Sequence, residues 1–200
     1  MTMRSMALAS ALGLLAATSL GAQAASENTA VDNGSVLTAQ DLGTLSEGGA
    51  INLFGLRGDV AIFGTVLSDN SDPDFYAFTI GANQVVTLTV AAPEGPETNN
   101  DPIVGLFGTD GSLLATDDDG GPGYDSKLVY TLSAAGQYFV AVGGYADFDF
   151  DGIGDFDPLN VPSTNWLYHL QISAAPVPLP AAGWLLGSAL TGLALRRRRA

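Results

Sequence analysis

Asp74-Phe75-Tyr76-Ala77-Phe78-Thr79-Ile80 alternates with a period of two, which sets Tyr76, Phe78 and Ile80 on one face. Side chains alternate this way in a β-strand, because successive Cβ atoms point to opposite sides of the pleat. The same period recurs outward from this stretch. Val86, Leu88 and Val90 share a face opposite Thr87 and Thr89; Leu128, Tyr130 and Leu132 repeat it, as do Tyr138, Val140 and Val142, and then Trp166, Tyr168, Leu170 and Ile172. Turn-formers separate the runs: Gly81-Ala82-Asn83, Pro93 to Pro102, Thr109-Asp110-Gly111 and Ala134-Ala135-Gly136. No window of 12 or more residues between positions 50 and 175 carries a helical stripe, and 20 glycines fall between 25 and 176. Short alternating strands with frequent turns predict an all-β fold, an antiparallel jelly-roll-like β-sandwich.

Charge is distributed as unevenly as hydropathy. The 200 residues carry 21 acids and seven bases, and every acid lies between Glu27 and Asp157. Residues 25–176 set those 21 acids against Arg57 and Lys127 alone, a net of −19. Seventeen of the acids are Asp, gathered in the turns. Such a domain repels nucleic acid and anionic lipid, which excludes them as partners. There is no Cys, so disulfides, thiolate metal sites and cysteine nucleophiles are absent, and one His leaves no histidine-rich metal centre.

The two ends read as addresses. Arg4, the apolar run Ala7 to Leu20 and Ala22-Gln23-Ala24 have the layout of a secretory signal peptide over residues 1–24, with signal peptidase cutting after Ala24. At the other end, Pro176, Pro178 and Pro180 stop the sheet. Ala181 to Leu195 is then uncharged and has no polar face, and Arg196, Arg197, Arg198 and Arg199 follow it. A basic cluster after an apolar helix holds that end on the cytoplasmic side of a membrane. Between these addresses, residues 25–54 read as an N-terminal lead-in and 55–175 as the sandwich.

This C-terminal order over residues 176–200 resembles the PEP-CTERM sorting signal of Gram-negative bacteria, a short Pro motif, a transmembrane helix and an Arg cluster. Val177-Pro178-Leu179-Pro180 occupies the motif's place, with Leu where the name-giving motif has Glu. The resemblance implies processing by an exosortase, anchorage in the inner membrane during transit, and delivery to the cell envelope, outer surface or extracellular matrix. It also implies association with exopolysaccharide or biofilm material.

A second resemblance covers residues 55–173. Ser71-Asp72-Pro73-Asp74-Phe75-Tyr76, Asp101-Pro102-Ile103-Val104-Gly105-Leu106-Phe107, Asp110-Gly111-Ser112-Leu113-Leu114 and Ala135-Gly136-Gln137-Tyr138-Phe139-Val140 stand in the order of the bacterial pre-peptidase C-terminal (PPC) domain. That resemblance implies a non-catalytic β-sandwich, with relatives that bind calcium or polymeric ligands.

The densest chemistry lies in Asp147-Phe148-Asp149-Phe150-Asp151-Gly152-Ile153-Gly154-Asp155-Phe156-Asp157. Alternate Asp residues with a Gly at the sharp turn wrap hard oxygen ligands around Ca²⁺, so Asp147, Asp149, Asp151, Asp155 and Asp157 are the expected metal ligands. The loop is similar to the calcium repeat of thrombospondin type 3; an EF-hand would need a Glu where Pro158 stands. Read instead as a bare solvated insertion, the loop sets five carboxylates within eleven residues with no cation to offset their repulsion. Asp117, Asp119 and Asp125 form a second, weaker candidate site, and a plain hairpin reads as well there. Asp74 is expected to serve structure.

Catalysis has no constellation. A Ser-His-Asp triad would need His169, which the alternation sets on the outward face beside Gln171 and Ser173, exposed to solvent. No nucleophile-elbow, phosphate-loop or zinc-protease motif occurs. The sequence therefore predicts an exported, non-enzymatic surface or matrix protein stabilised by Ca²⁺. A calcium-dependent carbohydrate- or peptide-binding module is the alternative, with Tyr124, Tyr145 and Trp166 as candidate platform residues, although Trp166 falls on the core face. An accessory domain of a secreted hydrolase is the third reading.

Overall fold

The computed structural model describes residues 22–28, 32–62, 65–68, 73–93, 100–153 and 165–178. Two five-stranded sheets face each other. One runs β1(Ala22–Ser26), β3(Ala50–Arg57), β12(Trp166–Pro176), β7(Gln84–Ala91), β10(Ser126–Leu132). The other runs β2(Gln40–Leu45), β6(Asp74–Ile80), β11(Gly136–Gly144), β8(Pro102–Phe107), β9(Leu113–Asp117). β4(Asp59–Ile62) and β5(Thr65–Ser68) form a separate hairpin.

The all-β sandwich agrees with the sequence pattern, and the alternation selects much of its core, to which Leu42, Leu45, Ile51, Leu53, Val104 and Leu106 are added from strands it did not mark. Tyr76, Phe78, Ile80, Val86, Leu88, Val90, Leu170 and Ile172 are all buried between the sheets. Burying a side chain of this size stabilises by about 1.5–3 kcal/mol relative to leaving it in water.

The sheets are not purely antiparallel. β1 pairs parallel with β3, and β2 pairs parallel with β6. Parallel neighbours need a crossover rather than a hairpin, and the chain supplies it by alternating between layers at its start: β1 in one sheet, β2 in the other, β3 back beside β1. The expected boundary between residues 54 and 55 thus falls inside β3, and the expected cleavage after Ala24 falls inside β1.

Glu27, just beyond β1, ties the start of the chain to the core. Its Oε2 accepts the Leu56 N–H at 2.7 Å and its Oε1 accepts the Tyr76 hydroxyl at 3.1 Å. The Tyr76 and Tyr168 hydroxyl oxygens lie against each other, and Tyr168 donates to Asp74 Oδ2 at 2.7 Å. Asp74 is fully buried, in the structural role expected of it. Burial, with Asp74 and Glu27 close by, pushes both tyrosines well above their ordinary range, so they remain protonated donors.

Registers sort the turns into two ends. Val142 pairs with Asp74 and Val104, and Ser126 pairs with Val90; Gly136 pairs with Ile80, and Leu132 with Gln84. One end therefore carries Asp74, Asp101, Asp117 to Asp119, Asp125 and the loop beginning at Asp147. The opposite end carries the β8–β9 and β10–β11 turns.

Candidate metal site at the acidic end

Three of the five expected ligands come together. Asp147, Asp149 and Asp151 each offer a carboxylate oxygen, and these atoms lie within 4.8 Å of one another. Asp155 and Asp157 lie outside the described residues. Asp147 is fully buried and organises the loop: its Oδ1 accepts the Asp151 N–H and its Oδ2 the Gly152 N–H, both at 3.0 Å. Asp151 Oδ1 accepts the Ile153 N–H at 2.8 Å. Gly152 takes φ 85°, the left-handed conformation that the sequence assigned to a glycine.

Burial pushes the Asp147 carboxyl above the usual carboxylate range and Asp151 adds to this; the two backbone donors and the Arg57 guanidinium pull it down. Each carboxylate oxygen has two lone pairs, so Asp147 can hold its own loop and still face a cation. Three clustered hard oxygens suit Ca²⁺ better than a softer metal. Asp147, Asp149 and Asp151 are the described residues that would hold the ion.

Of the loop's described aromatic residues, Phe150 is buried and Phe148 half-buried. Phe150 packs with Phe75, Ile103, Phe107 and Ala141 in a second apolar cluster on the outer face of the β6–β11–β8 sheet. Room for its ring comes from two glycines. A Cβ at Gly105 would stand 2.5 Å from the Phe150 ring, and one at Gly143 would stand 3.1 Å away. The acidic loop is thus fastened to the sheet by an aromatic anchor.

The second expected set does not converge. Asp117 Oδ1 accepts the Gly120 and Lys127 N–H groups at 2.9 and 2.7 Å, and Asp125 Oδ1 accepts the Ala92 N–H at 3.1 Å. The plain hairpin expected here is not formed either, because β9 and β10 lie in different sheets. Asp117 fastens the crossover between them and Asp125 ties the start of β10 to the end of β7. Among the described residues only Asp147, Asp149 and Asp151 form a set of three. Sequence reasoning missed Asp101 here. Burial, with Asp119 and Asp118 alongside, raises its carboxyl to about 6. Its backbone oxygen accepts the Tyr145 N–H at 2.8 Å, which links this cluster to the start of the Asp147 loop. An Asp just before β8 was the available signal, but its neighbours arrive only through the sheet.

The other singled-out residues are placed as follows. His169 does face outward, yet it is half-buried and not solvent-exposed as expected, because its ring stacks on Phe54 at 4.7 Å. Trp166 is buried, whereas Tyr124 and Tyr145 are exposed. Ala22 and Ala24 lie in β1, and Val177 donates its N–H to the Asn83 carbonyl. Pro178 ends the described chain; Leu179, Pro180, the apolar segment and Arg196 to Arg199 lie outside it. Among the described residues no helix is long and apolar enough to cross a membrane.

No family model matches this chain, and no curated protein does. Among solved structures it is similar to the pre-peptidase C-terminal domain of collagenase from Bacillus anthracis, at 12% identity and a TM-score of 0.39. That match covers 68% of this chain and 96% of the other.

Proposed function

We propose that the protein is an exported, non-enzymatic β-sandwich module of the cell surface or extracellular matrix, with an acidic end stabilised by Ca²⁺. The convergence of Asp147, Asp149 and Asp151 on a loop anchored by Phe150 carries this reading. A fixed cluster of carboxylates repels itself, and a divalent cation turns that repulsion into a cross-link. Export rests on the signal-peptide layout of residues 1–24, and sorting by an exosortase, with exopolysaccharide as the associated material, rests on the PEP-CTERM-like order of residues 176–200. The PPC-like order of motifs favours an accessory or binding role over a catalytic one.

Cell fractionation of the full chain tests the export and sorting parts. The intact chain should be recovered from the envelope or medium in shortened form. Deleting Arg196 to Arg199 should leave it unprocessed in the inner membrane. Unchanged processing and location in the deletion argue against exosortase sorting, and cytoplasmic recovery of the intact chain argues against export. The second reading, a binding module, draws support from the exposed rings of Tyr124 and Tyr145 and from a polar cleft at the opposite end of the sandwich.

A further inference from the structure

The end of the sandwich remote from the Asp147 loop carries a cleft of about 330 Å³ between the β8–β9 turn and the β10–β11 turn. Six hydroxyl-bearing residues line it: Thr109, Ser112, Tyr130, Thr131, Ser133 and Tyr138. Asp110 is the one charged side chain among the lining residues. The turn is held before any ligand arrives. Gly108 N–H bonds the Ser112 carbonyl at 2.8 Å, Gly111 N–H bonds the Gly108 carbonyl at 3.0 Å, and Gly111 takes φ 79°.

Asp110 is equally fixed. Its Oδ1 accepts both the Ser112 N–H at 3.1 Å and the Ser112 hydroxyl at 2.7 Å. Both Ser112 bonds fall on Oδ1, and each carboxylate oxygen carries two lone pairs, so Oδ2 can accept from a ligand. Tyr138 donates its hydroxyl to the Ala134 carbonyl at 3.0 Å, which fixes that wall of the cleft and leaves the oxygen as an acceptor. Preformed clefts of this size, with a few placed polar groups, are where small ligands bind.

From this lining we infer that the cleft binds a neutral, polyhydroxylated ring, the hexopyranose unit of a polysaccharide. Vicinal hydroxyls of a sugar donate to a carboxylate and exchange hydrogen bonds with Ser, Thr and Tyr hydroxyls, which both donate and accept. The half-buried Tyr130 adds apolar ring surface for the sugar's C–H face, whereas the Tyr138 ring is packed in the core against Phe78 and offers the cleft its hydroxyl. Charge selects against the other small ligands. An acidic sugar or a phosphate meets a domain of net −19. A cation finds one carboxylate here and a crowd of them at the acidic end. Another cavity among the described residues, about 400 Å³ between Phe54, Ala92, Pro93, Leu167 and His169, has Tyr168 as its one hydroxyl-bearing lining residue.

The inference extends the binding-module reading and does not depend on calcium, since the cleft and the Asp147 loop occupy opposite ends. The test is a titration of the isotope-labelled full chain, in Ca²⁺ and again in EDTA, with maltohexaose, cellohexaose, an oligogalacturonate and hexalysine. At least one neutral hexasaccharide should shift the amides of residues 108–112 and 131–133 saturably, equally in both buffers. Asp110→Ala and the cleft-filling Ser133→Trp should each weaken that binding about tenfold or more, with melting temperatures near that of the parent chain. Oligogalacturonate should leave those amides unmoved. No saturable shift with either neutral sugar overturns the inference, as does binding centred on Phe54 and His169 or binding of hexalysine alone. Loss of sugar binding in EDTA also overturns it, whereas a calcium response without sugar binding leaves the proposed calcium role standing and removes the cleft.

Discussion

The two ends of this sandwich are built from the same strands and differ in what their turns carry. At one end, buried or crowded carboxylates do structural work: Asp147 holds a loop through two backbone N–H groups, Asp117 fastens the crossover from β9 to β10, and Asp101 is forced toward its neutral form. At the other end the exposed carboxylates stand apart: Asp110 sits among hydroxyls and braces only its own turn, and Glu47 accepts from the Gln84 side chain. Negative charge therefore stresses one end and leaves the other free to recognise a ligand. A formal charge of −14 over the whole chain hides this asymmetry.

The sharpest way to break the comparison is to remove one carboxylate from each end. Asp147→Ala removes a buried carboxylate and its bonds to two part-buried loop N–H groups and should cost roughly 2 kcal/mol in urea unfolding. Asp110→Ala removes bonds that water replaces and should cost under about 1 kcal/mol. Equal costs would mean that the ends are not differently built.

The aromatic anchor is the next target. Gly105→Ala pushes a methyl group into the Phe150 ring and should cost about 2 kcal/mol. The cost should largely vanish in a Phe150→Ala background, so a double-mutant cycle reads the contact directly. Additive costs would detach the acidic loop from the sheet.

Asp101 gives the smallest and most specific effect, through pH. Its folded carboxyl titrates near 6 against an ordinary 3.8, so between those values the folded state binds more protons than the unfolded one. Stability from this group is full below 3.8 and is lost as pH rises through 6. Asp101→Asn should therefore raise the melting temperature at neutral pH, and the gain should shrink steadily as the pH falls through that window. A gain independent of pH would assign the effect to something other than charge.

What the sequence made legible follows from local periodicity. β7, β10 and β12 bury alternate residues and were readable from that alone. β6 and the second half of β11 are buried on both faces, because the second apolar cluster covers Phe75 and Ala141, and only the sequence alternation of their large residues marked them. β8 is buried along its whole length, so Pro102-Ile103-Val104-Gly105-Leu106-Phe107 reads as a continuous apolar run without alternation. The parallel edge strands β1 and β2 were hidden for another reason: pairing partners across a layer crossover leave no mark on local sequence. The Asp147 loop was visible because its ligands are neighbours in the chain. Asp101 beside Asp118 and Asp119, and Tyr138 beside Thr109 and Asp110, are assembled by strand register and could not be read before the fold.

Whether cations hold the acidic end is measured most directly by melting the full chain in EDTA and in millimolar Ca²⁺. Binding at the strength usual for extracellular calcium modules should add about 2 kcal/mol, a rise on the order of 5 °C. That rise should disappear in the Asp149→Ala, Asp151→Ala double variant and persist in Asp110→Ala. No shift in the parent chain, or a shift that survives the double variant, would contradict the account.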